Sequence, residues 1–182
     1  PRDLNSTAVL AFSENQSVGT YIGEFNATDP DGASITYHFV NGENNNSLFT
    51  LDTNGTLKTA TIFDYETHLS TYTITVQVKN ELNATTEGNF TVTLLNQNEA
   101  PFYFDAVEPL RVLENQPIGT IVGELEAIDD DEGDLVTYQL LKDRDPIANE
   151  SFTLDENGTL RTAEVLDYEN NASLFIRVKA TD

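Results

Sequence analysis

The stretch Asn96-Gln97-Asn98-Glu99-Ala100-Pro101 decides how this chain is read. On either side of it nearly the same text is written twice. Pro1 falls on Pro101, Glu14-Asn15 on Glu114-Asn115, Gly19-Thr20 on Gly119-Thr120, and Gly23 on Gly123. Ala27-Thr28-Asp29-Pro30-Asp31 falls on Ala127-Ile128-Asp129-Asp130-Asp131. After small insertions, Leu51-Asp52 and Asn54-Gly55-Thr56-Leu57 match Leu154-Asp155 and Asn157-Gly158-Thr159-Leu160. Asp64-Tyr65-Glu66 matches Asp167-Tyr168-Glu169. A period of about 100 residues is too long for a solenoid repeat and fits a domain. The reading is two copies of one domain, 1–97 and 98–182, joined by a linker at 96–101.

Within each copy the hydropathy alternates with a period of two, the signature of strands with one face in the core and one in water. Ile74, Val76 and Val78 alternate with Thr73, Thr75, Gln77 and Lys79, and Phe90, Val92 and Leu94 alternate with Asn89, Thr91 and Thr93. Tyr21, Gly23, Phe25 and Ala27 are expected on one face, as are Ile121, Gly123, Leu125 and Ala127. Asp31-Gly32, Asn41-Gly42, Asn54-Gly55 and Asn157-Gly158 mark turns. The first copy reads as seven strands, roughly 7–13, 18–28, 34–40, 48–52, 56–61, 71–79 and 87–95. Such a pattern predicts an all-β, Greek-key, immunoglobulin-like β-sandwich. The second copy stops at Asp182, where the first has Asn80, and so lacks the segment equivalent to Glu87–Asn96. The expectation is a trimmed or partly disordered end rather than a strand supplied by another chain. Phe102-Tyr103-Phe104 is expected to tuck its rings into the second core.

Composition narrows the function. The 182 residues include no Cys, Met or Trp, so disulfides and thiol chemistry are excluded. The formal net charge is −22, from 31 acidic and 9 basic residues. Such a surface repels nucleic acid and anionic lipid and invites cations. An apolar content of 38% with regular alternation argues for a folded chain. No apolar run approaches the roughly 20 residues that span a bilayer, so no direct membrane insertion is expected. No signal peptide is visible, and Pro1 already matches a linker proline, so any targeting segment is expected upstream.

Many acids sit in loops and recur in both copies: Glu14, Asp29, Asp31, Asp64 and Glu66, then Glu114, Asp129, Asp131, Asp167 and Glu169. Like charges a few ångströms apart repel by about 1 kcal/mol in water and by more near protein. A hard cation bound by carboxylate, amide and carbonyl oxygens answers that repulsion, and calcium takes about 6–8 such ligands. Asn96, Gln97, Asn98 and Glu99 add oxygen donors at the joint. An EF-hand does not fit, because Asp129-Asp130-Asp131 lacks that loop's sixth-position Gly and twelfth-position Glu.

Together these motifs resemble tandem cadherin repeats over essentially the whole chain. The wording, with Thr-Ala before Asp-Tyr-Glu and Asn-Glu-Ala-Pro at the joint, resembles the bacterial members more than the animal ones. The resemblance implies Ca2+ between the repeats. It would be held by Glu14, Asp64 and Glu66 from the first copy and by Asn96, the Gln97 carbonyl, Asn98 and Glu99 from the linker. Asp129, Asp131 and Asp182 would complete it from the second copy. The family linker usually reads Asp-x-Asn-Asp-Asn-x-Pro. Here Asn96 and Glu99 replace two of the aspartates or asparagines, and one residue is missing before the proline. In the first copy the family's Ala-x-Asp becomes Val78-Lys79-Asn80, which weakens the site above it.

Enzymatic chemistry has little footing. His38 lies in a strand pattern, His68 follows the Asp-Tyr-Glu turn, and no nucleophile, zinc or phosphate-loop motif occurs. Paired carboxylates in acid-rich loops lack the apolar pocket that keeps a general acid neutral. The expected function is a calcium-stiffened tandem repeat of an extracellular adhesin or surface protein. Its expected partners are other repeats of the same protein, a cell-surface protein or a polysaccharide, and not nucleic acid. The alternative is a polysaccharide-binding module, against which the absence of Trp counts. Exchange of a terminal Trp between adhesion partners is likewise excluded. Asn-x-Ser/Thr triplets begin at Asn5, Asn26, Asn83, Asn89, Asn149 and Asn171.

Overall fold

The structure, a computed structural model, describes residues 1–141 and 150–182. Asn149 of the last-but-one triplet lies outside the described residues. Two compact units are present, Pro1–Gln97 and Asn98–Asp182, each with its own pair of sheets.

Unit 1 contains β1 (Arg2–Ser6), β2 (Ala11–Ser13), β3 (Tyr21–Thr28), β4 (Ile35–Phe39), β5 (Phe49–Leu51), β6 (Thr56–Thr59), β7 (Thr71–Asn80) and β8 (Thr85–Leu95). One sheet has the order β1-β3-β6-β5 and the other β2-β8-β7-β4. Of the expected first strand at 7–13 only β2 (Ala11–Ser13) forms, and an unexpected strand, β1 (Arg2–Ser6), precedes it on the other sheet. β1 pairs antiparallel with β3, the chain then crosses, and β2 pairs parallel with β8. The central ladder runs unbroken between β7 and β8 from Thr71↔Thr93 to Lys79↔Thr85. Along β7, Tyr72, Ile74, Val76 and Val78 point inward as the alternation predicts. They meet Leu10, Phe12, Ile22, Phe25, Phe49, Leu57, Phe63, Val92 and Leu94 between the sheets.

One face assignment fails, and for a definite reason. Tyr21 is exposed while Ile22 and Gly23 are both buried. The β3–β6 register shifts between Tyr21 and Gly23, a bulge that puts an extra residue into the strand and reverses its phase. Unit 2 repeats the bulge between Ile121 and Gly123, and Ile121 is exposed. A Cβ at Gly23 or Gly123 would stand 2.6 Å from a methyl of Leu10 or Leu110, so a side chain there would make that leucine turn aside.

Unit 2 contains β9 (Tyr103–Ala106), β10 (Ile121–Ile128), β11 (Thr137–Leu140), β12 (Phe152–Leu154), β13 (Thr159–Thr162) and β14 (Val178–Thr181). Its sheets are β12-β13-β10-β9 and β11-β14. Among the described residues β8 has no counterpart, as the sequence reading anticipates. The effect on packing is visible. In unit 1, the Thr93 and Leu94 amides of β8 donate to the Leu10 and Ser70 carbonyls, and Phe90 of β8 packs against Phe25. In unit 2 the residues matching β2, 111–113, form no strand, and Leu113 is largely exposed. Phe102, Tyr103 and Phe104 are also exposed, which corrects the expectation that they fill the core. The Phe104 ring stands beside Tyr138 at 6.1 Å.

Both units share a glycine turn that locks β3 to β6 and β10 to β13. Gly158 has φ +89 and donates to Asp155 while accepting from the Leu125 amide at 2.9 Å. A Cβ added there would lie 2.4 Å from the Leu125 carbonyl oxygen. Gly158→Ala is therefore expected to destabilise unit 2 by about 1–3 kcal/mol, from left-handed strain plus displacement of β10. Chemical denaturation measures it, and a loss below about 0.5 kcal/mol, the usual surface value, would show that the turn yields freely.

Candidate metal centre

In unit 1, Glu14 is the pivot. It follows β2, its amide bonds to the Leu95 carbonyl at 3.1 Å, and Asn15 bonds to the Phe63 carbonyl at 2.8 Å. These bonds hold the Glu14 turn between the end of β8 and the Phe63–Glu66 loop. The Glu14 side chain is completely buried. Its Oε2 accepts the Tyr65 amide at 2.5 Å and its Oε1 accepts the Gln97 amide at 2.8 Å. One carboxylate thus fixes both the loop carrying Asp64 and Glu66 and the start of the linker. A Glu66 oxygen comes within 4.8 Å of a Glu14 oxygen. Asp64 caps its own loop by accepting the Thr67 amide at 3.1 Å. Asn96 is exposed, one residue after β8.

In unit 2, the acids of the β10–β11 loop gather at the start of the chain segment. Asp131 is 7% exposed and accepts the Glu99 amide at 2.8 Å. Its own amide donates to Asp129 Oδ1 at 3.0 Å. The Asn98 amide group donates to the Asp182 carboxylate in a very short contact. Oxygens of Asp129, Asp131 and Asp134 all lie within 4.8 Å of one another. Asp129 Oδ2 is buried and meets no hydrogen-bond donor among the described residues. Desolvation first, then the charges of Asp131, Asp129 and Asp182, hold the Asp134 carboxyl above the usual carboxylate range.

Of the expected residues, the structure brings Glu14 together with Glu66 and the Gln97 backbone in unit 1. In unit 2 it brings Glu99 together with Asp131 and Asp129, and Asn98 with Asp182. The Asp64 carboxylate bonds within its own loop, and Asn96 is exposed. Asp134 is an addition. It has no acidic counterpart in the first copy, so a search by recurrence passes over it. The only local signal is Gly133, whose φ of +98 turns the loop back onto Asp131.

The donor chemistry fits a hard cation. Ligand oxygens sit about 2.3–2.6 Å from calcium, so two of them on opposite sides are separated by about 4.6–5.2 Å. The Asp129, Asp131 and Asp134 oxygens, all within 4.8 Å of one another, are close enough for one such ion to reach all three. Asp129 Oδ2, a buried anionic oxygen with no donor among the described residues, is a group that a bound cation would satisfy. A second acidic group in unit 2, Glu114, Asp167 and Glu169, repeats the Glu14 arrangement, with Glu114 accepting the Tyr168 amide at 3.1 Å. There all three acids are exposed.

A family model described as the cadherin domain matches residues 9–95 and 108–182. Cadherin-related family member 1 of Rattus norvegicus is 30% identical over 181 residues, 96% of this chain and 20% of that protein. Cadherin-12 of Homo sapiens is 31% identical over 199 residues, 100% of this chain and 25% of that protein. Among solved structures, human protocadherin-24 EC1-2 superposes with a TM-score of 0.75 at 24% identity, over 97% of this chain and 85% of that one. The chain thus spans a fifth to a quarter of the length of these two curated relatives. These relatives are animal proteins, so the expected leaning toward bacterial-type members is not supported. Neither is the polysaccharide-binding alternative. Among the described residues no helix is long and apolar enough to cross a membrane.

Proposed function

Since the chain belongs to the cadherin family, with two consecutive cadherin domains, we propose that it is part of the extracellular region of an adhesion protein and that Ca2+ stiffens its inter-repeat joint. The observation that carries this reading is the buried, donor-less Asp129 Oδ2 within a cluster of three aspartates. Glu14, Asp64 and Glu66 would hold the ion from unit 1. Asn96, the Gln97 carbonyl, Asn98 and Glu99 would hold it from the linker, and Asp129, Asp131 and Asp182 from unit 2. The ion supplies the positive charge that these acids lack. Glu14 prepares the site by presenting the Asp64–Glu66 loop and the Gln97 backbone in fixed register. Asp131 does the same for Glu99. The role is mechanical and non-catalytic, at the cell surface, with other repeats of the same protein or a cell-surface protein as partners.

Calcium affinity is expected near the 10⁻⁴–10⁻³ M typical of extracellular modules, on the order of the extracellular ion concentration. Adding chelator is expected to leave strand content nearly unchanged by circular dichroism, because each core is built from its own unit. Small-angle scattering is expected to show a shorter maximum dimension or a broader spread of inter-unit angles. Scattering curves that superimpose with and without chelator would overturn the stiffening role.

A further inference from the structure

Strand register pairs two chain ends that carry opposite chemistry. β4 sets Tyr37 opposite Val78, and β11 sets Tyr138 opposite Ala180. Two residues on, Asn80 is the counterpart of Asp182, just as Asp29 and Asp31 are the counterparts of Asp129 and Asp131. The same place in the fold therefore ends in an amide in unit 1 and a carboxylate in unit 2.

The amide changes what the neighbouring aspartate meets. Asn80 is 7% exposed, and its Nδ2 donates to Asp29 Oδ2 at 3.0 Å. Its Oδ1 accepts the Leu82 amide at 3.0 Å and the Ala84 amide at 2.8 Å. Asp29 Oδ1 accepts the amides of Asp31 at 3.1 Å and Ala33 at 3.4 Å. The Pro1 ammonium also lies 3.1 Å from Asp29 Oδ2. Both Asp29 oxygens are thus supplied with N–H donors. The Asn80 bond is the largest of the causes that hold the Asp29 carboxyl below the usual carboxylate range. At the unit 2 end, the Asp182 carboxylate accepts from the Asn98 amide, and Asp129 Oδ2 is buried with no donor among the described residues.

Asn80 cannot turn its oxygen toward a cation either. Flipping the amide would point Nδ2 at the Leu82 and Ala84 N–H groups, donor against donor, and strand both. We infer that Asn80 closes the Asp29–Asp31 end of unit 1 against divalent metal, its amide replacing the positive charge that the Asp129–Asp131 end draws from an ion. The two repeats then load unequally: Asp129 and Asp131 take part in a calcium site, and Asp29 and Asp31 are self-satisfied and metal-free. This goes beyond the proposed joint and is read out at different residues.

The test is a calcium titration of the full chain followed by amide resonances. In the unaltered chain, the amides of Asp31, Ala33, Leu82 and Ala84 are expected to stay in place while those of Gln97, Glu99 and Asp131 move saturably. In Asn80→Asp, which keeps an acceptor for Leu82 and Ala84 but loses the donor to Asp29, the first group is expected to move saturably as well. A chain with acetylated Pro1 is expected to behave like the unaltered one, since the amide and not the ammonium carries the effect. Saturable shifts at Asp31 and Ala33 in the unaltered or the acetylated chain overturn the inference. So does an Asn80→Asp variant that folds and gains no such shifts. If Asn80→Asp fails to fold, the unaltered and acetylated titrations still decide the matter. Silence at Gln97, Glu99 and Asp131 counts against the joint and is separately visible.

Discussion

Phe63→Ala is expected to remove most of the stability of unit 1, costing about 3–5 kcal/mol, the range for emptying a buried aromatic site. Phe63 is 1% exposed and stands at the centre of a ring cluster. Its ring centroid lies 4.9 Å from Phe12, 5.2 Å from Tyr72 and 5.6 Å from Phe49. The partners come from β2, β5 and β7, so the cavity would open between both sheets at once. Neighbours drawn from three strands cannot all collapse into it, which places the cost high in the range. A domain of this size has a stability of roughly 5–10 kcal/mol, so little would be left. Each kcal/mol lowers the melting temperature by about 4–8 °C in a domain of this size, so calorimetry should show a fall of more than about 10 °C in the unit 1 transition. The unit 2 transition should hardly move, because its core is built separately from Leu125, Phe152 and Leu160. A unit 1 transition within a degree or two of the unaltered chain would show that the cluster repacks and that this account of the core is wrong.

The doubling of the domain was legible because repetition tests each motif twice. Asp-Tyr-Glu and Asn-Gly-Thr-Leu are short signals alone, but in register across two copies they mark the same turns, and the structure places them there. The strand alternation was legible wherever the ladder is regular, as in β7. It misled at Tyr21 and Ile121, because a bulge adds one residue without any change in hydropathy to announce it. Gly23 was the available sign, since a strand glycine often marks a bulge or a close approach. β1 was hidden for another reason: Arg2–Ser6 carries a single apolar residue, Leu4, and so shows no alternation. At the site, recurrence picked out the acids shared by both copies and passed over Asp134, which only the second copy has. It also could not distinguish a carboxylate that waits for an ion from one already satisfied. That difference lies in whether residue 80 or 182 can donate a proton, and in backbone N–H groups whose direction no sequence prints.

Glu14 carries the second large effect, because one buried side chain serves both the fold and the ion. Each of its oxygens accepts a different backbone N–H, from Tyr65 and from Gln97. Glutamine has the same shape but only one acceptor oxygen, so in Glu14→Gln one of the two N–H groups would face an NH2 donor. Alanine abandons both. Leaving a buried donor unmet costs about 1–3 kcal/mol, so even in chelator Glu14→Gln is expected to lose about that much unit 1 stability and Glu14→Ala about twice as much. The glutamine change is costly despite its matching shape, which distinguishes this prediction from simple loss of packing. In calcium the loss should grow, since ligand binding stabilises the folded state by mass action and the variants bind less. Disturbing even an outer-shell partner weakens metal binding about 10–100-fold, and removal of a ligand that also sets the linker should weaken it at least as much. Denaturant unfolding with chelator and at saturating calcium separates the two roles. A Glu14→Gln variant as stable as the unaltered chain in chelator would refute the structural role. Equal calcium affinity would refute the ligand role and leave the carboxylate as scaffolding alone.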